Sequence, residues 1–136
     1  MVEGKRNIAI VATTTDGDVF GGFYSVAVWK LDKYFVDPNI FIFSFESRGR
    51  CETPKRFPAS DLWKDGAYVS FYKNDSYGRF VVFDGGSGRF FLGNEKTKHF
   101  CFNLACSFYG IEDTTLTGND HRESFTCCRL VAVHLE

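Results

Sequence analysis

The run Ile40-Phe41-Ile42-Phe43-Ser44-Phe45-Glu46 repeats phenylalanine at every second position. Successive side chains of a strand point to opposite faces, so that spacing holds the segment to a pleated strand. Phe41, Phe43 and Phe45 share one face, while the other drifts from isoleucine to serine and glutamate. The pattern predicts a half-buried strand with the three rings on its buried side. Lys98 to Leu104 alternates likewise, with Phe100, Phe102 and Leu104 opposite His99, Cys101 and Asn103. Arg129 to Leu135 reads as a further strand, apolar on both faces for part of its length. Composition agrees: Val, Ile, Thr, Phe, Tyr and Trp outnumber Ala and Leu by 49 to 14, which favours strands over helices.

Turn signals divide these runs into hairpins. Asn7 to Thr13 and Val19 to Trp29 flank Thr15-Asp16-Gly17-Asp18, where glycine supplies the positive φ of a tight turn. Ala67 to Lys73 and Gly78 to Asp84 flank Asn74-Asp75-Ser76-Tyr77, and Asp84-Gly85-Gly86-Ser87-Gly88 turns into Arg89 to Leu92. Seven or eight closely spaced strands predict a mainly β chain, a β-sandwich or distorted barrel. Short helical turns are expected over Pro58 to Lys64, capped by Ser60 or Asp61, and around Ala105 to Gly110. Arg48 to Lys64 reads as an irregular loop. At 136 residues the chain is one domain.

Sixteen Lys and Arg against seventeen Asp and Glu exclude a strongly basic chain that coats nucleic acid, and leave room only for a local patch. No stretch reaches the ~20 apolar residues of a membrane span, so no membrane insertion is expected. The polar N-terminus lacks the apolar core of a signal peptide, and five cysteines are an odd count; both point to reduced thiols in a cytoplasmic or nuclear setting. The Asn74-Asp75-Ser76 sequon then reads as chance.

Candidate chemistry is sparse. Gly21-Gly22 continues into strand sequence, not a helix, so the pair reads as close packing or room for an aromatic ring and not as a phosphate cradle. His99, Cys101 and Cys106 lack the paired spacing of zinc ligands, and adjacent Cys127 and Cys128 face opposite sides of a strand. The cysteines and His99, His121 and His134 carry no flanking elbow for a nucleophile. Glu112, Asp113, Asp120 and Glu123 do not alternate as a calcium loop requires and read as a solvated loop around Thr114 to Asn119. Neither a catalytic set, a metal site nor a cofactor is expected. The most basic region holds Arg48, Arg50, Lys55, Arg56 and Lys64 with Phe57 and Trp63 among them. Such a mixture suits a partner or a single nucleic-acid strand, and equally blunts a sheet edge.

Several segments, in order, resemble the TLDc domain family of oxidation-resistance proteins. Asp16-Gly17-Asp18-Val19-Phe20-Gly21-Gly22-Phe23 is similar to that family's DG-x-VFG-aromatic hairpin, and Phe41-Ile42-Phe43-Ser44 to its FLF strand. Phe90-Phe91-Leu92-Gly93 falls where the family has an aromatic strand ending in glycine. Phe102-Asn103-Leu104, Gly110 and Thr117-Gly118-Asn119 resemble its LYLD…G…TFGN tail, with Phe125 through Val133 as closing strand. The resemblance runs from Ile8 onward and implies a short or N-terminally truncated member. Where the family's closing strand carries an acidic residue beside tryptophan, Ala132-Val133-His134 stands here. It implies a two-sheet antiparallel β-sandwich with one or two short helices, and Asp16, Gly17, Phe20, Gly21, Gly22, Phe41, Phe43, Gly93, Gly118 and Asn119 as structural signature positions. It also implies a non-catalytic protein-binding module in a regulatory or oxidative-stress role, with the vacuolar ATPase among the family's partners. Two other readings remain open from the residues: nucleic-acid binding through Arg48, Arg50, Lys55, Arg56, Trp63 and Lys64, and a thiol sensor using Cys51 or Cys101. An open sheet edge predicts self-association or cover by an intramolecular segment.

Overall fold

A computed structural model describes residues 3–73, 79–93, 100–102, 104–118 and 125–135. Among the described residues ten strands form two five-stranded antiparallel sheets. The first takes the order β10-β1-β2-β4-β5, from Cys127–His134, Ile8–Thr14, Val19–Tyr24, Phe41–Glu46 and Lys55–Pro58. The second takes β3-β6-β7-β8-β9, from Lys33–Val36, Tyr68–Phe71, Arg79–Asp84, Arg89–Gly93 and Phe100–Phe102. A 3-10 turn at Lys64–Gly66 and the four-residue helix α1, Leu104–Ser107, are the helical elements among the described residues. The fold is therefore mainly β, two antiparallel sheets packed as a sandwich. No helix among the described residues is long and apolar enough to cross a membrane.

The sheets meet through side chains of alternate parity. Ile8, Ile10, Ala12, Phe20, Tyr24, Ile42 and Phe57 of the first pack with Val69, Phe71, Val81, Phe83 and Leu92 of the second. The Tyr24 ring lies 5.8 Å from Phe71 and 6.3 Å from Phe83, which ties the layers at their centre. Leu104, Phe108, Ile111, Leu116 and Phe125 join the same core from the connections. Each fully buried large side chain contributes roughly 1.5–3 kcal/mol relative to exposure.

The β1–β2 hairpin turns at Gly17, with φ at +95° and the Thr14 N–H donating to the Asp18 carbonyl at 2.9 Å. The Gly85–Gly88 loop joins β7 to β8 and is held by Ser107 of α1, whose hydroxyl accepts the N–H groups of Ser87, at 2.8 Å, and of Gly88. The Asn74–Tyr77 turn lies outside the described residues, but β6 and β7 pair on either side of it. Gly22 faces the opposing sheet, where a Cβ would stand 2.5 Å from the Phe83 ring; the pair of glycines does make room for an aromatic.

Several expectations need correction, among them the helical turn placed over Pro58 to Lys64, which lies instead at Lys64–Gly66 with no side-chain cap. The strand from Val19 ends at Tyr24 instead of Trp29, because Ser25 turns away to bond the buried Asp37, through its N–H at 2.6 Å and its hydroxyl at 2.9 Å. The segment Arg48–Lys64 is not wholly irregular: Lys55–Pro58 forms β5, an edge strand whose Phe57 enters the core. With Lys33–Val36 as the other unforeseen edge strand, the count rises to ten. Finally, β4 is turned over. Ile42 and Ser44 face the core and are fully buried, whereas Phe41, Phe43 and Phe45 lie on the outer face of the sheet.

Tyr24 is the largest of several polar side chains buried in the sandwich, beside Ser44 and Ser70. Tyr24 is fully buried and its hydroxyl has no hydrogen-bond partner among the described residues. Burial pushes its phenol well above the ordinary value. Tyr68, half-buried, is pushed up to about 12, chiefly by burial and then by the carboxylate of Asp84. Both shifts favour the neutral phenol in the folded state. The contribution of Tyr68 is therefore complete below the unfolded value of 10.0 and is lost as pH rises through about 12, and that of Tyr24 is lost at higher pH still. Tyr24→Phe is expected to raise stability at neutral pH by about 1 kcal/mol by removing an unpaired buried hydroxyl, and to weaken the alkaline loss. Urea titrations at pH 7 and along the alkaline limb check both statements; a destabilised variant would show that the hydroxyl is in fact bonded.

Candidate functional site

The inverted parity of β4 creates the most distinctive surface of the molecule. Phe23 on β2 stacks on Phe41 with centroids 4.7 Å apart, Phe41 meets Phe43 edge-on at 6.3 Å, and Phe43 meets Phe45 at 4.8 Å. Gly21 lets this row settle: the Phe43 ring occupies the space above it, where a Cβ would stand 2.7 Å from the ring tip. Ala9 and Val11 of β1, with Val133 and Leu135, extend the apolar floor to the other side of the sheet. Together they line an open trough of about 360 Å³. Phe43 is nearly buried, but Phe45 is 52% exposed and Leu135 45% exposed. A continuous apolar patch of this kind on a soluble surface marks a place of contact, whereas isolated exposed leucines do not.

One cation borders the trough. The Arg56 guanidinium lies 4.9 Å from the Phe41 centroid, a cation–π contact that fixes it at the rim. Lys55, its neighbour on β5, turns to the other face, its ammonium 5.8 Å from the ring of the core residue Phe57. The face thus combines a row of rings with positive charge on the β5 side.

The structure divides the basic segment of the sequence among three places. Arg48 and Arg50 turn towards the buried Asp18. Arg48 Nε lies 3.4 Å from its carboxylate and Arg50 Nη2 donates to the same oxygen. Arg50 also donates to the carbonyls of Thr115 and Leu116, at 3.0 and 2.8 Å, so it clasps the 112–118 segment to the β1–β2 hairpin. On β5 Arg56 rims the trough, while the Lys55 ammonium turns to the other face, over Phe57 and beside the Gly110 turn. Lys64 pairs with Asp61 at 3.1 Å on the exposed turn; the hydrogen bond between them holds the Asp61 carboxyl below, and the Lys64 ammonium above, their usual values. Trp63, on that turn, packs its Cβ and carbonyl over Gly86.

Cys51 is half-buried beside the core, its N–H donating to the Ser47 hydroxyl at 3.0 Å. Cys101 sits on β9 opposite Phe90, and its side chain lies outside the described set. Cys127 is half-buried and burial pushes its thiol up, which lowers its thiolate fraction. Cys128 is exposed, 3.4 Å from the Thr13 carbonyl. Among the described residues no three His, Cys, Asp or Glu side chains are grouped to hold a metal. His99, Asn119, Asp120, His121 and Glu123 lie outside the described residues. Of the signature positions, Asp16 and Gly17 form the first turn, Phe20 and Gly22 face the core, and Gly21, Phe41 and Phe43 build the trough. Gly93 ends β8, and Gly118, at φ +80°, lies against the Arg50 guanidinium.

The sequence alone did not single out this face, since Phe23, Ala9, Val11, Val133 and Leu135 reach it from separate strands. Its one local signal was the glycine pair, which leaves room for a ring on each side of the sheet. Compared with known proteins, the chain matches no protein-family model and no curated protein. The TLDc resemblance rests on the residues quoted for it.

Proposed function

We propose that this chain is a non-catalytic protein-interaction module of TLDc type, and that it docks its partner on the outer face of the first sheet. The observation that carries this reading is the aromatic row Phe23–Phe41–Phe43–Phe45, laid open beside Arg56. Its shape and chemistry suit an apolar segment that carries an acidic residue on one flank: rings supply buried area, and the Arg56 guanidinium sets orientation. A regulatory or oxidative-stress role, with the vacuolar ATPase as the first partner to test, follows from the family resemblance.

A photo-crosslinking residue at Phe45, compared with one at exposed Lys73, tests the reading. The expected result is a discrete adduct from Phe45 only, mapping to an apolar partner peptide with neighbouring Asp or Glu. Phe45→Glu should reduce partner recovery at least about tenfold while leaving the melting temperature within a few degrees, since the ring is half-exposed. Equal capture from both positions, or full recovery with Phe45→Glu, would remove this face from consideration.

A further inference from the structure

Among the described residues strand β10 is an exposed edge of the first sheet, and it is apolar on both sides: Leu130, Val131 and Val133 are each between 37% and 38% exposed. Its register against β1 shows which backbone groups are free for another strand. Leu135 N–H donates to the Asn7 carbonyl at 2.8 Å, and the ladder continues with Ala9 opposite Val133 and Val11 opposite Val131. Antiparallel pairs alternate between bonded and non-bonded. Val133 and Val131 therefore direct their N–H and C=O groups to β1, whereas Leu130, Ala132 and His134 direct theirs to the open edge.

Natural sheets blunt such edges with lysine, proline or bulges. The opposite edge, β5, carries Lys55, Arg56 and Pro58, and β3 at one edge of the second sheet begins at Lys33. In β10, CCRLVAVH, there is neither lysine nor proline, and the bulge of this ladder lies beside Thr13 and Thr14, at the end away from Ala132.

We propose that β10 pairs with β10 of a second copy of this chain, antiparallel, about a two-fold axis at Ala132. This register alone sets every outward-facing residue opposite another: Ala132 faces Ala132 of the partner subunit, and Leu130 faces the partner's His134. It satisfies the free backbone groups of all three residues on both chains. On the outer side Val131 faces the partner's Val133 twice over, in the closer non-bonded pairs where β-branched side chains stabilise a sheet most. Arg129 faces the partner's Leu135, so no like charges are opposed. That self-complementarity selects a second copy over an unrelated strand. The seam is short beside the ~800 Å² per partner of a standard interface, so the dimer is reversible. The two readings share Val133 and Leu135 at the β10 margin of the trough, but they are separable, because the pairing is carried by the backbone edge and not by the aromatic row.

Sedimentation over about a hundredfold range of concentration should show the mass moving from 15.5 kDa toward twice that value. Ala132→Pro removes an N–H that faces away from β1 and should hold the chain monomeric with its fold intact. Ala132→Lys and Ala132→Glu place like charges across the axis, and each alone should be monomeric; mixed in equal amounts they should recover a dimer. Phe45→Glu should dimerise as the unaltered chain does. An unaltered chain that stays monomeric throughout overturns the proposal and leaves the edge to a strand from another protein. A dimer that survives Ala132→Pro, or variants that fail to recombine, overturns the register and with it the proposal.

Discussion

Alanine at Gly21 is expected to cost the protein about 3 kcal/mol or more, a large part of the stability of a domain this size. The added Cβ would stand 1.9 Å from the Ile10 carbonyl oxygen and 2.7 Å from the Phe43 ring. Ile10 O belongs to a backbone held in register between β2 and β10, so it cannot retreat without opening the ladder. Gly22→Ala meets the Phe83 ring at 2.5 Å instead, and a side chain can yield where a backbone cannot. Its cost is expected to be about 2 kcal/mol, partly recovered by shortening Phe83 to leucine; no change at Phe43 should rescue Gly21→Ala in the same way. Gly17 is the contrast. Nothing lies within 4 Å of its Cβ position, and its φ of +95° alone sets a penalty of about 1 kcal/mol. Urea denaturation of the three variants should give the order Gly21, Gly22, Gly17. A Gly21→Ala protein within about 1 kcal/mol of the parent would mean that strands β1 and β2 do not approach this closely.

The glycine pair also shows how far residues can be read without coordinates. Its packing role was legible because a strand that continues through two glycines needs a neighbour to fill the space. The first hairpin was legible for a similar reason: Asp16-Gly17 carries its turn geometry locally. The phase of β4 was not. Both of its faces begin apolar, and the choice between them is made by Phe57 and the second sheet, which pack on Ile42 and Ser44 and leave the rings outside. Strands β3 and β5 escaped notice because each has four residues, mostly exposed, and owes its existence to pairing with β6 and β4 more than to its own alternation. Arg50 read as a surface cation because its counter-charge, Asp18, is 32 residues away, a distance at which no spacing rule operates.

That ion pair gives the other large expected effect. Asp18 is 1% exposed and receives Arg50, the Thr14 hydroxyl at 3.2 Å and, more distantly, Arg48. Removing one member of a buried pair strands the other, which costs far more than the pair contributes. Asp18→Ala is therefore expected to lose about 3 kcal/mol, whereas Arg48→Ala, at a half-exposed side chain 3.4 Å away, should lose at most about 0.5 kcal/mol. Arg50→Ala should cost at least as much as Asp18→Ala, about 3 kcal/mol or more, because it strands the buried Asp18 carboxylate and also releases the carbonyls of Thr115 and Leu116. The double variant Asp18→Ala with Arg50→Ala should be less damaged than the sum, with a coupling of about 1–2 kcal/mol. Hydrogen exchange separates the two jobs of Arg50. In Arg50→Ala the Gly118 amide, bonded to Thr114 O at 2.8 Å, should exchange faster than the global loss of stability requires, because the segment has lost its clasp to the hairpin. Strict additivity, or a Gly118 amide that follows global unfolding alone, would mean that Asp18 and Arg50 stabilise their own ends of the chain independently and that the 112–118 segment is held by Leu116 in the core.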